Sequence, residues 1–393
     1  MSKIFFIDRY INYSTKLFES MVSISSKKKD FDLFFIGPND TKNILFSDQI
    51  LVNSKKIWSK NHYVRKLLKF ILINKPDIVH FTFELRTFGS PWSSLKLPLL
   101  LFLLHLKKQK IVISLFVILF YYENNNWKLP DYFPSKLPKP IIKILLKLFF
   151  SILLKLCDKI IVGTNYAKLC MVDYYKINEE KISVIPFGIS SLPKHVNENT
   201  KEKFQKIFDG KKIILCFGII SPRKNYLLTV RAFKEVAEKL PDHMLVIAGT
   251  STNEFKNYES VLRDLVKDLH LTKQVFFTGF IKNDEIDVLF QMAESTLFLY
   301  SPMSDSTHAI TISIQHNKPI IVSDIEIIRE ILPQESALFI DLKDISQLSN
   351  AILKISTEPE IRKNLNSKLI KLTKKFTWNN SAENCIKTYE SML

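Results

Sequence analysis

The chain has 393 residues, 46% of them hydrophobic and 24% charged, and its 56 Lys plus Arg against 39 Asp plus Glu give a formal net charge of +17. That length exceeds one small core and suits two α/β domains, and the basic excess calls for an anionic partner such as a nucleotide or a membrane surface. No zinc spacing, recognition-helix pattern, secretory leader or apolar run of the roughly 20 residues a span needs is visible, which sets aside nucleic-acid binding and a membrane-spanning protein.

In chain order, the first half alternates short apolar runs with amphipathic segments. Strands are predicted at 4–7, 33–36, 78–81, 111–115, 160–163 and 182–185, and helices at 15–25, 63–73, 94–106, 141–156 and 166–175; residues 38–60 are polar and carry no clear period. The helix at 141–156 is apolar over most of its circumference and carries Lys139, Lys143, Lys147 and Lys155 at spacings of four and eight. It reads as an interfacial helix for anionic headgroups or as a core helix with a snorkelling edge. Cys157, Cys170, Cys216 and Cys385 form no metal-ligand spacing and read as reduced residues of a cytoplasmic protein.

Residues 191–201 are polar, contain a proline and read as a linker. Beyond them strands are predicted at 213–217, 244–248, 274–278, 296–300, 319–322 and 337–340. Helices alternate with them at 226–240, 255–269, 284–293, 308–316 and 325–332, and the chain closes in helices at 344–355, 358–374 and after Trp378. Tyr226, Val230, Phe233, Ala237 and Leu240, spaced four, three, four and three, predict one buried helix face. The unit at 212–250 is therefore strand, crossover helix, parallel strand. Its loop, 221–225, places Arg223 and Lys224 where a strand ends and a helix begins, a position that favours a phosphate. Gly37, Gly163, Gly188, Gly218, Gly249 and Gly279 close apolar runs, marking the carboxyl ends of strands where ligands of open α/β sheets collect.

The ordered pieces "VIPFGIS" at 184–190, "FGIISPRKNYLLTVRAF" at 217–233, "LVIAGT" at 245–250, "VFFTGFIKNDEI" at 275–286, "KPIIVSD" at 318–324 and "FTW" at 376–378 resemble a retaining glycosyltransferase of the GT-B type, family 4, group 1. The resemblance covers about 200 residues; "KPDIVHFTFE" at 75–84 and "KIIVGTNYAK" at 159–168 extend it thinly into the first half. It implies two Rossmann-like domains facing each other across a cleft: an acceptor-side domain at 1–190, a nucleotide-sugar domain at 202–372 and a closing helix at 373–393. It further implies transfer of a hexose, with retention and without a metal, from a nucleoside diphosphate sugar to a lipid-linked or membrane-proximal glycan. The enzyme would be peripheral on the cytoplasmic face, with no cofactor beyond the sugar nucleotide.

The departures are specific. Where the family carries an acidic pair eight residues apart, this chain has Ser304 and Ile312, and Arg9–Ser14 replace the usual Gly-Gly loop. The Ser-rich run 304–308 resembles an archaeal-like variant of the acidic site. A catalytically inactive subunit that binds a glycan or a partner transferase therefore stands as the alternative, with a sugar-nucleotide epimerase third.

Residue by residue, the resemblance gives Arg223 and Lys224 the leaving diphosphate, against a solvated, exposed basic turn. It gives Ser306 and Thr307 phosphate oxygens, against a plain helix cap. Gly249, Phe280 and Glu330 would line the nucleotide, against a core role for Phe280 and a helix-surface role for Glu330. His80 and Glu84 would face the acceptor, against a satisfied buried histidine.

Overall fold

The computed structural model describes residues 2–8, 11–28, 30–38, 53–58, 62–85, 87–88, 91–115, 120–123, 126–128, 137–190, 198–301 and 308–393. They divide into two units: the described residues within 2–128, 137–188 and 376–393 form the first, and those within 189–375 the second.

The first unit is built on β1 (Ser2–Ile7), β2 (Phe31–Pro38), β3 (Asn53–Trp58), β4 (Ile78–Phe83), β5 (Lys110–Leu115), a small hairpin of β6 (Tyr121–Glu123) and β7 (Asn126–Lys128), β8 (Lys159–Val162) and β9 (Ile182–Val184). Apart from the hairpin these form one parallel sheet in the order β3-β2-β1-β4-β5-β8-β9. β4 is buried at every position, as an apolar strand covered on both faces must be. The covering helices of this half are α1 (Ile11–Lys28), α2 (Tyr63–Asn74), the short α3 (Pro91–Ser94), α4 (Leu97–Leu106), α5 (Lys139–Lys155) and α6 (Asn165–Leu169), the last running into a π-helical turn at Cys170–Tyr174.

The second unit contains α7 (Glu198–Phe208), β10 (Lys212–Phe217), α8 (Tyr226–Val236), β11 (His243–Ala248), α9 (Lys256–Asp268), β12 (Val275–Gly279), α10 (Asn283–Met292), β13 (Ala293–Phe298), α11 (His308–Gln315), β14 (Ile320–Ser323), α12 (Glu326–Ile331), β15 (Leu338–Ile340), α13 (Ile345–Thr357) and α14 (Pro359–Lys375). Its parallel sheet runs β12-β11-β10-β13-β14-β15, so the winding direction reverses between β10 and β13. That is the doubly wound order whose ligands bind outside the carboxyl ends of the strands, at the reversal. The face predicted for 226–240 is buried throughout, Tyr226, Val230, Phe233, Ala237 and Leu240 each being at most 2% exposed, although α8 ends at Val236 and a 3-10 turn at Ala237–Lys239 follows it.

Two readings change. Residues 198–201, placed in the linker, form the first turn of α7, whose Thr200, Phe204 and Phe208 face inward at spacings of four. The closing helix α15 (Trp378–Glu390) packs against α1 in the first unit. Thr377 caps it by accepting the Asn380 N–H at 3.2 Å. Gly188 makes room for Trp378, since a Cβ there would lie 2.5 Å from the Trp378 backbone.

Candidate functional site

At the reversal point, β10 is followed by Gly218 with φ +119°, and Gly249 and Gly279, which follow β11 and close β12, also lie at positive φ, +142° and +71°. Two of these three positions meet a close neighbour, backbone at Gly249 and, at Gly218, the end of the Lys224 side chain, which a Cβ would displace. A Cβ on Gly218 would stand 2.0 Å from Lys224 Nζ, and one on Gly249 would stand 2.2 Å from the Gly218 carbonyl oxygen.

After Gly218 the chain turns through a 3-10 helix at Pro222–Lys224, and Asn225 takes the left-handed conformation, φ 49° and ψ 38°, that asparagine tolerates. This turn is fastened to the end of the neighbouring β13. The Asn225 side-chain amide donates to the Leu299 carbonyl at 2.8 Å and to Ser301 Oγ at 3.0 Å, and the Ser301 N–H donates to the Arg223 carbonyl at 2.8 Å. Ser221 is 1% exposed, and its hydroxyl finds no hydrogen-bond partner among the described residues.

The exposed lysine expected here is instead folded inward. Lys224 is 8% exposed, its Nζ donates to the Phe217 carbonyl at 2.8 Å, and the ammonium stands 5.5 Å from the centre of the Tyr300 ring. Burial, with repulsion from Arg223 second, lowers its pKa to about 7 from 10.5. An amine so placed gains from any anion that comes within reach, because the anion restores the charge that burial disfavours. Arg223 beside it is half-buried. Tyr300, Asn225 and Ser221 escaped the sequence reading. The one visible signal was Asn directly before a helix, a residue type suited to a left-handed turn.

The remaining expected residues fall out as follows. Phe280 is 76% exposed, directly after Gly279, so the core role is excluded for it. Glu330 is half-buried on α12, after β14, two strands along the sheet from β10. Ser304, Ser306 and Thr307 lie outside the described residues. Ile312 is 7% exposed on α11.

In the first unit His80 is fully buried on β4. Its Nδ1 lies 2.5 Å from Tyr389 Oη and its Nε2 2.7 Å from Ser114 Oγ, so both ring nitrogens are taken. Burial lowers its pKa to about 3, which keeps the ring neutral. An acceptor-facing role for His80 is therefore corrected to a structural one. Glu84 stands at the end of β4, half-buried, in a turn where its N–H donates to Thr87 Oγ1 at 2.8 Å.

Residues 197–372, which hold the whole Lys224 cluster, match the family described as glycosyl transferases group 1. This stretch is a group 1 glycosyl transferase domain. Among relatives, an uncharacterized glycosyltransferase of Methanocaldococcus jannaschii is 28% identical over 174 residues, 43% of this chain and 40% of that one. The alpha-monoglucosyldiacylglycerol synthase of Streptococcus pneumoniae is 32% identical over 143 residues, 35% of this chain and 30% of that one. The matched stretches thus span less than half of either relative. The crystal structure of Anabaena HepE with UDP and glucose superposes with a TM-score of 0.74 at 13% identity, covering 100% of both chains. That likeness establishes the fold: two Rossmann-like domains of the GT-B class, of which the group 1 domain is the second.

Proposed function

We propose that this protein transfers a hexose from a nucleoside diphosphate sugar to a lipid-linked or membrane-proximal glycan, with retention of the anomeric configuration, and that it works at the cytoplasmic face of a membrane. The observation that carries the proposal is Lys224, a buried amine of lowered pKa at the reversal point of a group 1 domain, held between the Phe217 carbonyl and the Tyr300 ring. As the bond from the anomeric carbon to the diphosphate oxygen breaks, negative charge gathers on the leaving group. A preorganised cation answers that charge more strongly in the transition state than in the bound donor. Arg223 adds a second cation. Ser306 and Thr307, preceding α11, would add hydroxyl and N–H donors, and Phe280 is an exposed aromatic face for the nucleotide base. The counter-charge is supplied by the protein, so the mechanism needs no divalent metal. The lipid-linked acceptor draws support from the diacylglycerol in the streptococcal relative's name, and the sugar nucleotide from the UDP and glucose of the HepE complex.

A second reading, a catalytically inactive subunit that binds a glycan or partner transferase, is favoured by one residue. Ile312, where the family carries an acid, is apolar and buried. A thermal-shift screen of UDP, GDP and their sugar conjugates tests the first reading. A ligand at a hundred times its dissociation constant adds about 2.7 kcal/mol of stability. No shift with any of them supports the second reading over the first.

A further inference from the structure

We infer that α2, α4 and α5 together form a face that seats shallowly in a bilayer containing anionic lipid headgroups. This deepens the peripheral-membrane part of the proposed function and rests on it for its purpose, although its geometry is independent of the donor site.

The three helices are neighbours, with α4 packed against both α2 and α5. Each has an inward apolar row, such as Leu67 and Ile71 on α2, Leu100 and Leu104 on α4, and Phe150 and Leu153 on α5. A surface helix ordinarily turns a polar face outward; α4 and α5 turn mostly apolar side chains outward, and α2 sets Arg65, Lys66 and Lys69 beside apolar residues exposed at its end. On α4, Leu99, Phe102 and Leu106 recur at spacings of three and four and are 47–55% and, for Leu106, 61% exposed. On α5, Ile141, Ile144, Leu145, Leu148 and Ile152 form an outward row, each between 45% and 67% exposed. Leu72 and Ile73 at the end of α2 are 38% and 66% exposed. Of the nineteen exposed large hydrophobic side chains among the described residues, twelve lie on these helices or within two residues of them. Singly scattered apolar residues need no explanation, but a concentration on three adjacent helices does.

The charge of the same segments selects the occupant. Residues 62–76, 95–110 and 137–157 carry twelve Lys and Arg and no Asp or Glu. On α5, Lys139, Lys143 and Lys147 lie to one side of the outward row, and Lys155 continues that row at the carboxyl end of the helix. Lys143 and Lys147 stand at its flank, 6.0 and 4.6 Å from the Tyr174 ring centre. An apolar row with cations beside it is the arrangement of a helix lying in the headgroup layer, its stem in the acyl boundary and its ammonium groups among phosphates. Among the described residues no helix is long and apolar enough to cross a membrane, so the helices lie in the interface. A second copy of this chain would bring an equally basic face against this one, and a nucleic acid has no surface to cover these apolar rows.

The test is sedimentation of the full chain with vesicles of phosphatidylcholine alone or mixed with phosphatidylglycerol, at low and high salt. Wild type should bind the mixed vesicles and keep part of that binding at high salt, since the apolar contact is not screened. The pairs Leu99→Ser with Phe102→Ser, and Ile144→Ser with Leu148→Ser, should each weaken vesicle affinity about tenfold or more. Val261→Ser, on an exposed apolar position of α9, should change nothing. Unchanged melting verifies the fold of the variants, and nucleotide thermal shifts on the same samples report the donor site separately. The inference is overturned if wild type binds neither vesicle, or if salt removes all binding and the serine pairs have no effect. It is equally overturned if the face holds a dimer that the serine pairs dissociate while vesicles go unbound.

Discussion

Lys224→Met keeps most of the lysine's stem and removes its charge, so it separates what the ammonium does for donor chemistry from what its burial costs. In the folded chain the amine keeps its proton only below about pH 7, whereas the ordinary value for lysine is 10.5. Between those values the unfolded chain binds more protons, so the wild-type fold gains stability as pH rises, by up to about 1.4 kcal/mol per unit. That contribution is complete above pH 10.5 and is lost as pH falls through the folded pKa; at pH 6 the fold bears the whole penalty, on the order of 5 kcal/mol. Methionine lifts the penalty but leaves the Phe217 carbonyl without its Nζ donor, at about 1–3 kcal/mol. The variant should therefore be more stable than wild type by about 2–4 kcal/mol at pH 6 and, with a little under 1 kcal/mol of the penalty still present, less stable by about 0–2 kcal/mol at pH 10. Urea unfolding at pH 6, 8 and 10 measures the difference, in which all other titrations cancel. Turnover with the sugar nucleotide should fall on the order of 10²- to 10³-fold, the range for deleting one preorganised electrostatic donor. A stability difference that does not change with pH would refute the buried ammonium. Wild-type turnover and nucleotide affinity in the variant would refute the donor site.

Donor affinity should be flat below pH 7 and fall about tenfold per unit above it, because binding must then take up a proton at Lys224; calorimetry in buffers of different ionisation enthalpy reads that proton, and its absence contradicts the assignment. Gly218→Ala places a methyl group where Lys224 Nζ stands and strains a positive-φ position, so it should cost about 1–3 kcal/mol of stability and lower nucleotide affinity. Equal affinity in wild type and variant would show that Nζ does not meet the donor. His80→Ala leaves Tyr389 Oη and Ser114 Oγ buried beside a cavity and should cost about 3 kcal/mol or more, without moving the pH profile of turnover between 5 and 8. A displaced profile would restore a catalytic part for His80. Chelation with EDTA should leave turnover unchanged; loss with EDTA and recovery with magnesium or manganese would overturn the metal-free mechanism.

Local pattern determined the repeating architecture, because burial on one side of a helix or both sides of a strand writes itself into spacing. The runs 213–217 and 244–248, the glycines closing them and the four-three-four face at 226–240 needed no neighbours to be legible. The edge strand β3, "NSKKIW", was not, since an edge strand carries neither a long apolar run nor clean alternation. The first turn of α7 was hidden by its polar surroundings, although Thr200, Phe204 and Phe208 kept the spacing.

Which way a side chain turns depended on what the tertiary structure brought alongside it. Lys224 is buried because the turn after β10 is pinned to the end of β13, a strand about 75 residues later in the chain, and because Gly218 leaves space for its Nζ. Phe280 is exposed because it lies one residue past the last strand-end glycine, and His80 is sealed because Tyr389 returns from the far end of the chain to bond it. The same holds for α5, whose sequence shows an almost wholly apolar helix. The sheet takes one row, and only the packing of α4 against α2 and α5 shows that the other row joins a shared outer face. Periodicity records that a face is apolar; what covers that face is decided by residues distant in sequence.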